Sequence, residues 1–341
     1  MKIKIFILFT ILTLLFGCDY FTLLSNKEWR NKNDKNELDV YVAGYVYYSL
    51  NNEKPVVWKN NELNELESIN GITRIYAMDI YNDDIYCGGF CDDPDGLGVG
   101  TPSKACYWIN NKIKIVEISN LSDSIINSIK IINGVIYSAG YDNNRACYWI
   151  NEKIYYLDSP GTSSQAKSIY IDKETNDFYI AGYYTIGGNY PCYWKNGKEC
   201  QSIGISGGSA NSIYHSNDNL YIAGLYTSNT PGYWINNKFN LLNYGGAGSI
   251  YTNGIKVYNG NVYTTGSIFI PPSNLKIFKN NIEISVPVIQ GESNSIYIFN
   301  DDIYVCGRNT SNQAAYWKNG SVTNLVTNTS YAYEVIVRYR N

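Results

Sequence analysis

Histidine is nearly absent: the 341-residue chain has one, His215. A lone imidazole with no second histidine and no cysteine partner cannot form the usual nucleophile–base pair. His215 falls in a short apolar segment between Tyr214 and Ser216, where it reads as structural or channel-lining. No basic run is present and the formal charge is −3, so no nucleic-acid partner is expected. Cys87, Cys91, Cys106, Cys147, Cys192, Cys200 and Cys306 fit no zinc spacing. Helical periodicity is missing. The apolar stretch Ile5–Leu15 is too short for a spanning helix, which needs ~20 residues.

What fills the chain is a repeat. A short pattern ending in small-Gly-aromatic or a variant of it recurs around Gly44, Gly89, Gly140, Gly182, Gly224, Gly266 and Gly307, at spacings of 45, 51, 42, 42, 42 and 41 residues. Each glycine motif is followed by an aromatic anchor: Trp58, Trp108, Trp149, Trp194, Trp234, Phe278 and Trp317. An Asn-Asn, Asn-Gly or Asn-Glu pair comes next, mostly turn chemistry that tolerates positive φ at both central positions of a hairpin. Another turn, such as Asn133-Gly134 or Asn259-Gly260, precedes most glycine strands, with one more apolar segment before it. Each period therefore holds four short antiparallel strands, the content of one β-propeller blade. The first glycine strand lacks an inner neighbour, and Val335–Tyr339 is one strand too many at the other end. The expected fold is all-β, a seven-bladed propeller of four-stranded blades whose first blade is closed by the C-terminal strand. An open array would leave sticky edges.

The ends are legible too. Met1–Lys4 is a basic start, Ile5–Leu15 an apolar core, and residues 1–17 read as a signal peptide. Leu15-Phe16-Gly17-Cys18 resembles the lipobox of bacterial lipoproteins, a resemblance that implies lipidation of Cys18. Residues 18–38 are then a polar tether and 39–341 the propeller. Cleavage removes Lys2 and Lys4 and takes the charge to −5. The expected address is exported and lipid-anchored, at the cell surface or facing the periplasm. Cys106, Cys147 and Cys192 share one repeat position with Gly232 and Ala315, so they read as small core residues; only Cys91, with Cys87 or Cys106, is placed for a local disulfide.

Candidate binding residues follow from register. The chain enters the innermost strands at Tyr76-Ala77, Asn127-Ser128, Lys167-Ser168, Asn211-Ser212, Asn253-Gly254, Asn294-Ser295 and Tyr333-Glu334. These form the mouth of the central channel, with Glu334 as its one fixed charge. The ligand-face candidates are Asn127, Ser128, Lys167, Ser168, Asn211, Ser212, Asn253, Asn294, Ser295, Tyr333 and Glu334. The competing reading is that Asn and Ser only cap turns. A long loop, Cys91–Gly100, carries Asp92, Asp93 and Asp95, weak candidates for calcium ligands without EF-hand spacing. No cofactor is expected.

Across Asp39–Tyr339 the paired motifs resemble the tandem repeats of bacterial extracellular β-propellers. The Asp boxes of sialidase-type propellers and the Trp-Asp marks of intracellular signalling propellers are missing. The propeller lipoprotein of the outer-membrane barrel-assembly machinery has eight blades, which this chain departs from. Finding no paired carboxylates, we expect a monomeric, non-catalytic binding platform for a protein or glycan, not an enzyme. The alternatives are a propeller enzyme acting on a carbohydrate at the channel mouth and a structural envelope or assembly scaffold. The fold alone does not decide between them.

Overall fold

The computed structural model describes residues 37–69, 71–92, 102–119, 123–244, 250–268, 272–285 and 288–340. The proposed leader, Cys18 and most of the tether lie outside these residues, as do Asp93 and Asp95. The described residues contain strands and turns and no helix. They form seven antiparallel sheets, each with four strands in hairpin order from channel to rim. The third blade is typical, running Ser124–Ile132, Val135–Asp142, Arg145–Ile150 and Lys153–Tyr156. In the sixth, the outer position is taken by two short pieces, Ile282–Glu283 and Ile289–Gln290. The first blade joins Ser330–Tyr339 to Leu38–Ser49, so the C-terminal strand closes the ring. Val40–Ile336 is one compact unit; in a second, small unit at the chain ends, Arg340 bonds Glu37 and, through Nε, Asp39 Oδ1 at 3.1 Å.

Turn asparagines do two jobs. Asn60, Asn110, Asn151, Asn196, Asn236, Asn280 and Asn319 all take positive φ, which Asn tolerates better than other side chains. Each then accepts, through Oδ1, the backbone N–H that opens the neighbouring glycine strand, at 2.8–3.1 Å. Glycine at this place would give the turn and lose the bond, a difference of about 1 kcal/mol.

The motif glycines have a different cause. In six blades the innermost strand carries a β-bulge opposite the glycine, for example between Ile126 and Ser128 and between Ala210 and Ser212. A Cβ on Gly140 would lie 1.8 Å from the Ile125 carbonyl oxygen. The glycine is what lets the bulged backbone come this close.

Hydrophobic clusters fill the gaps between successive blades, as with Ala139 and Ala146 of the third against Ile180, Cys192 and Trp194 of the fourth. All seven anchors are at most 2% exposed. Tryptophan is chosen over phenylalanine because its ring nitrogen is used: Nε1 of Trp108, Trp149, Trp194 and Trp234 donates to a carbonyl of the preceding blade at 2.7–2.8 Å. At the closing junction Trp58 Nε1 is buried with no partner among the described residues. That junction is held instead by an aromatic–arginine stack. Tyr45 stacks on Tyr331 at 5.0 Å, Arg74 lies 4.7 Å over Tyr45, and Arg308 lies 4.6 Å over Tyr331 while pairing with Glu292.

Cys87, Cys91, Cys106, Cys147, Cys192 and Cys306 are buried free thiols and Cys200 is half-buried. Cys91 neighbours Cys106, as its place in the sequence allowed, but both are free thiols and the Cys91 Sγ–H points to the Lys104 carbonyl at 3.7 Å; Cys200 neighbours Cys192, a proximity not expected from the repeat.

Candidate active site in the central channel

Each bulge pushes one residue of the innermost strand toward the channel mouth: Tyr76, Asn127, Lys167, Asn211, Asn253 and Asn294. Tyr333 holds the same place in the closing strand, since Gly44 meets Tyr331 as Gly307 meets Glu292. All eleven sequence-derived candidates line one cavity of about 680 Å³.

Their partners alter their reading. Nδ2 of Asn127, Asn211, Asn253 and Asn294 donates to a carbonyl of the next blade, on Ala166, Thr252, Ser293 and Ala332, at 2.7–3.0 Å. Ser128 accepts the Ile169 N–H across the third–fourth gap, and Ser168 the Ile213 N–H across the fourth–fifth. These side chains neither cap turns nor stand free; they fasten blade to blade. Ser295 differs in donating to Glu334 Oε1 at 2.8 Å, which fixes the carboxylate.

Glu334 is not the only fixed charge beside Lys167. Three residues past the bulge, the innermost strands present Asp79, Lys130, Tyr170, Tyr214, Lys256 and Tyr297. Lys130 Nζ lies 4.0 Å from Asp79 Oδ1, and Asp79 Oδ2 accepts the Ile131 N–H at 2.8 Å. Tyr170 and Tyr214 meet edge to face at 5.1 Å. Lys256 Nζ sits 5.4 Å from the Tyr214 ring and 5.9 Å from that of Tyr297. Burial works against the Lys130 charge, but Asp79 and Glu334 outweigh it and hold the ammonium above its usual range. Burial, reinforced by Lys130, pushes Lys256 the other way, down to about 8. Burial also lowers Lys167. This throat was missed in the sequence, yet strand alternation points to it: once past the bulge, residues two apart share a face, so the Ser/Glu334 tier implies a second tier beyond it.

Elsewhere, Asp92 Oδ2 accepts the Ile72 N–H at 2.8 Å, and no metal-ligating cluster exists among the described residues. His215 lies at the far end of its strand, its Nδ1 2.9 Å from Asp172 and its ring stacked on Tyr179 at 5.1 Å.

No protein-family model matches the chain and no curated protein sequence matches it. Among solved structures it is similar to a periplasmic gluconolactonase of Pseudomonas aeruginosa, at 10% identity and TM-score 0.51, over 89% of this chain and 100% of that one. It is similar also to a candidate 6-phosphogluconolactonase of Bacteroides uniformis, at 10% identity and TM-score 0.52, again over 89% and 100%. A Bacteroides fragilis protein described in the same terms matches at 10% identity and TM-score 0.50, over 89% and 99%. At such identity the likeness shows the propeller fold. These neighbours nevertheless overturn the expectation of a non-catalytic platform and of a protein that is not an enzyme. These three propellers, matched over 89% of this chain, carry lactonase names, and the throat brings together charged groups that were missed in the sequence.

Proposed function

We propose that the chain is an exported hydrolase of sugar lactones, with its reaction centre in the propeller channel. One observation carries this reading: on the wall of a polar cavity lined by tyrosines, an oriented carboxylate, Glu334, lies within electrostatic reach of an ammonium held protonated, Lys130. The neighbours' names supply the substrate class. A lactone ring fits a cavity of this size, with Tyr141, Tyr183 and Tyr170 on its wall and Gln165 and Ser212 among its polar groups.

In the proposed step, the Glu334 carboxylate takes a proton from water as its oxygen attacks the ring carbonyl. Lys130 stabilises the oxyanion. Collapse breaks the ring C–O bond, the ring oxygen takes up the proton, and an open-chain hydroxy acid leaves. Each group is asked for about two to three orders of magnitude in rate. The experiment is pH-stat hydrolysis of glucono-δ-lactone by the purified protein against the spontaneous rate. Glu334→Gln and Lys130→Met are expected each to lower kcat by about 100-fold with the melting profile kept. Turnover no faster than spontaneous hydrolysis, or equal turnover in both variants, refutes the proposal.

The leader and Cys18 support export with lipid anchoring, and one neighbour is named as periplasmic. Metabolic labelling with an alkyne fatty acid tests the anchor: Cys18→Ser is expected to abolish incorporation. We further propose a monomer with no nucleic-acid partner, in keeping with the net negative charge.

A further inference from the structure

Lys256 has no assigned part in lactone hydrolysis, and its surroundings are unusual for a lysine. Its ammonium has no carboxylate within ion-pair distance among the described residues; its near neighbours are the faces of Tyr214 and Tyr297. It lines the channel cavity together with Ser212 and Asn253. The charged and titratable groups acting on it are Lys130, Glu334 and Asp79, with Tyr214 and Tyr297 packed beside it.

We propose that Lys256 is a carbonyl-capturing amine, which condenses reversibly with the aldehyde of an open-chain polyhydroxy compound entering the channel. The nitrogen lone pair attacks the carbonyl carbon, the carbon–oxygen π pair moves to oxygen, and a proton passes from nitrogen to that oxygen. Loss of water then leaves an imine; aldehyde and amine give imine and water with no oxidant or reductant. Two features favour the reaction. A lysine that is desolvated and stands beside a second cation is the arrangement that activates amines in Schiff-base chemistry. With its ammonium weakened to about 8, about a fifth of Lys256 is neutral at pH 7.4, against less than about a thousandth for an ordinary lysine. Tyrosine walls and neutral hydrogen-bonding groups suit a hydroxylated chain.

The test is reductive trapping. The folded protein is incubated with D-glyceraldehyde and sodium cyanoborohydride at pH 7.5, and adducts are located by peptide mass mapping. Lys256 is expected to be modified at least about 10-fold faster than the exposed Lys112 and Lys198. Lys256→Arg, which keeps the charge and the tyrosine contacts, should abolish the fast adduct. Lys130→Met, by removing the neighbouring charge, should slow it several-fold. Labelling of Lys256 no faster than of the surface lysines, or a fast adduct that survives in Lys256→Arg, overturns the proposal. The inference does not rest on the lactone reading: a fast Lys256 adduct in a protein that turns over no lactone would uphold it and remove the other.

Discussion

The rim and the throat of the channel come from the same innermost strands, three residues apart, and are built on opposite terms. At the rim, four asparagines and two serines face a cavity, yet their hydrogen bonds run sideways into the next blade. In the throat, Asp79 bonds the Ile131 N–H and pairs with Lys130 of the next blade, while Lys256 has no such tie among the described residues. Exposure to a cavity is therefore a poor guide to chemistry; what matters is whether a side chain's polar atoms are already committed. The difference begins in the bulge, which turns the rim residue out of alternation and toward the neighbouring blade.

Breaking the bulge should have the largest effect. Gly140→Ala drives a Cβ into the Ile125 carbonyl, a backbone atom that cannot step aside. We expect a loss of about 3 kcal/mol or more, read by urea melting. Next comes the rim: Asn211→Ala with Asn294→Ala strands two carbonyls and should cost about 1–3 kcal/mol each. Lactone turnover per folded molecule should stay within about 3-fold, since the rim fastens blades; a collapse of turnover at unchanged stability would make these amides ligand groups.

The throat should behave in the reverse sense. Lys256 has a lowered proton affinity in the folded chain, so between pH 8 and about 10.5 the unfolded chain binds more protons and stability rises with pH. Below pH 8 the penalty is fully present. Lys256→Met should therefore melt higher than wild type at pH 7, with the gain shrinking as pH climbs through that window. A variant less stable at pH 7 would show that the tyrosine contacts outweigh desolvation. The smallest effect is expected from Ser295→Ala, which frees Glu334: a roughly several-fold lower kcat with stability changed by less than about 1 kcal/mol.

Much of the fold could be read from the chain because it is written locally. Positive φ selects Asn and Gly, and close backbone approach selects Gly, in each blade; a buried N–H with a waiting carbonyl selects Trp in four of them. Closure could be inferred by counting strands, and Ser330–Tyr339 does pair with Leu38–Ser49. The site was less legible. The residues at the mouth could be located by register, but whether Asn211 bonds Thr252 or a ligand depends on the next blade, 41 residues away. Lys130, Lys256 and Asp79 come from three different blades, and nothing in the local sequence of any one of them announces the others. Cys200 meeting Cys192 was hidden for a related reason: one extra residue in the fourth blade's turn sets Cys200 across from Trp194.

The most direct test of a reaction centre in the throat is a crystal structure of the protein with gluconolactam, a ring that cannot be hydrolysed in the same way. The lactam is expected inside the channel, its carbonyl oxygen toward Lys130 and its carbonyl carbon open to a water held by Glu334. A lactam bound only elsewhere, such as the outer cavity between Ile284 and Val322, or an empty channel at saturating ligand, would contradict it.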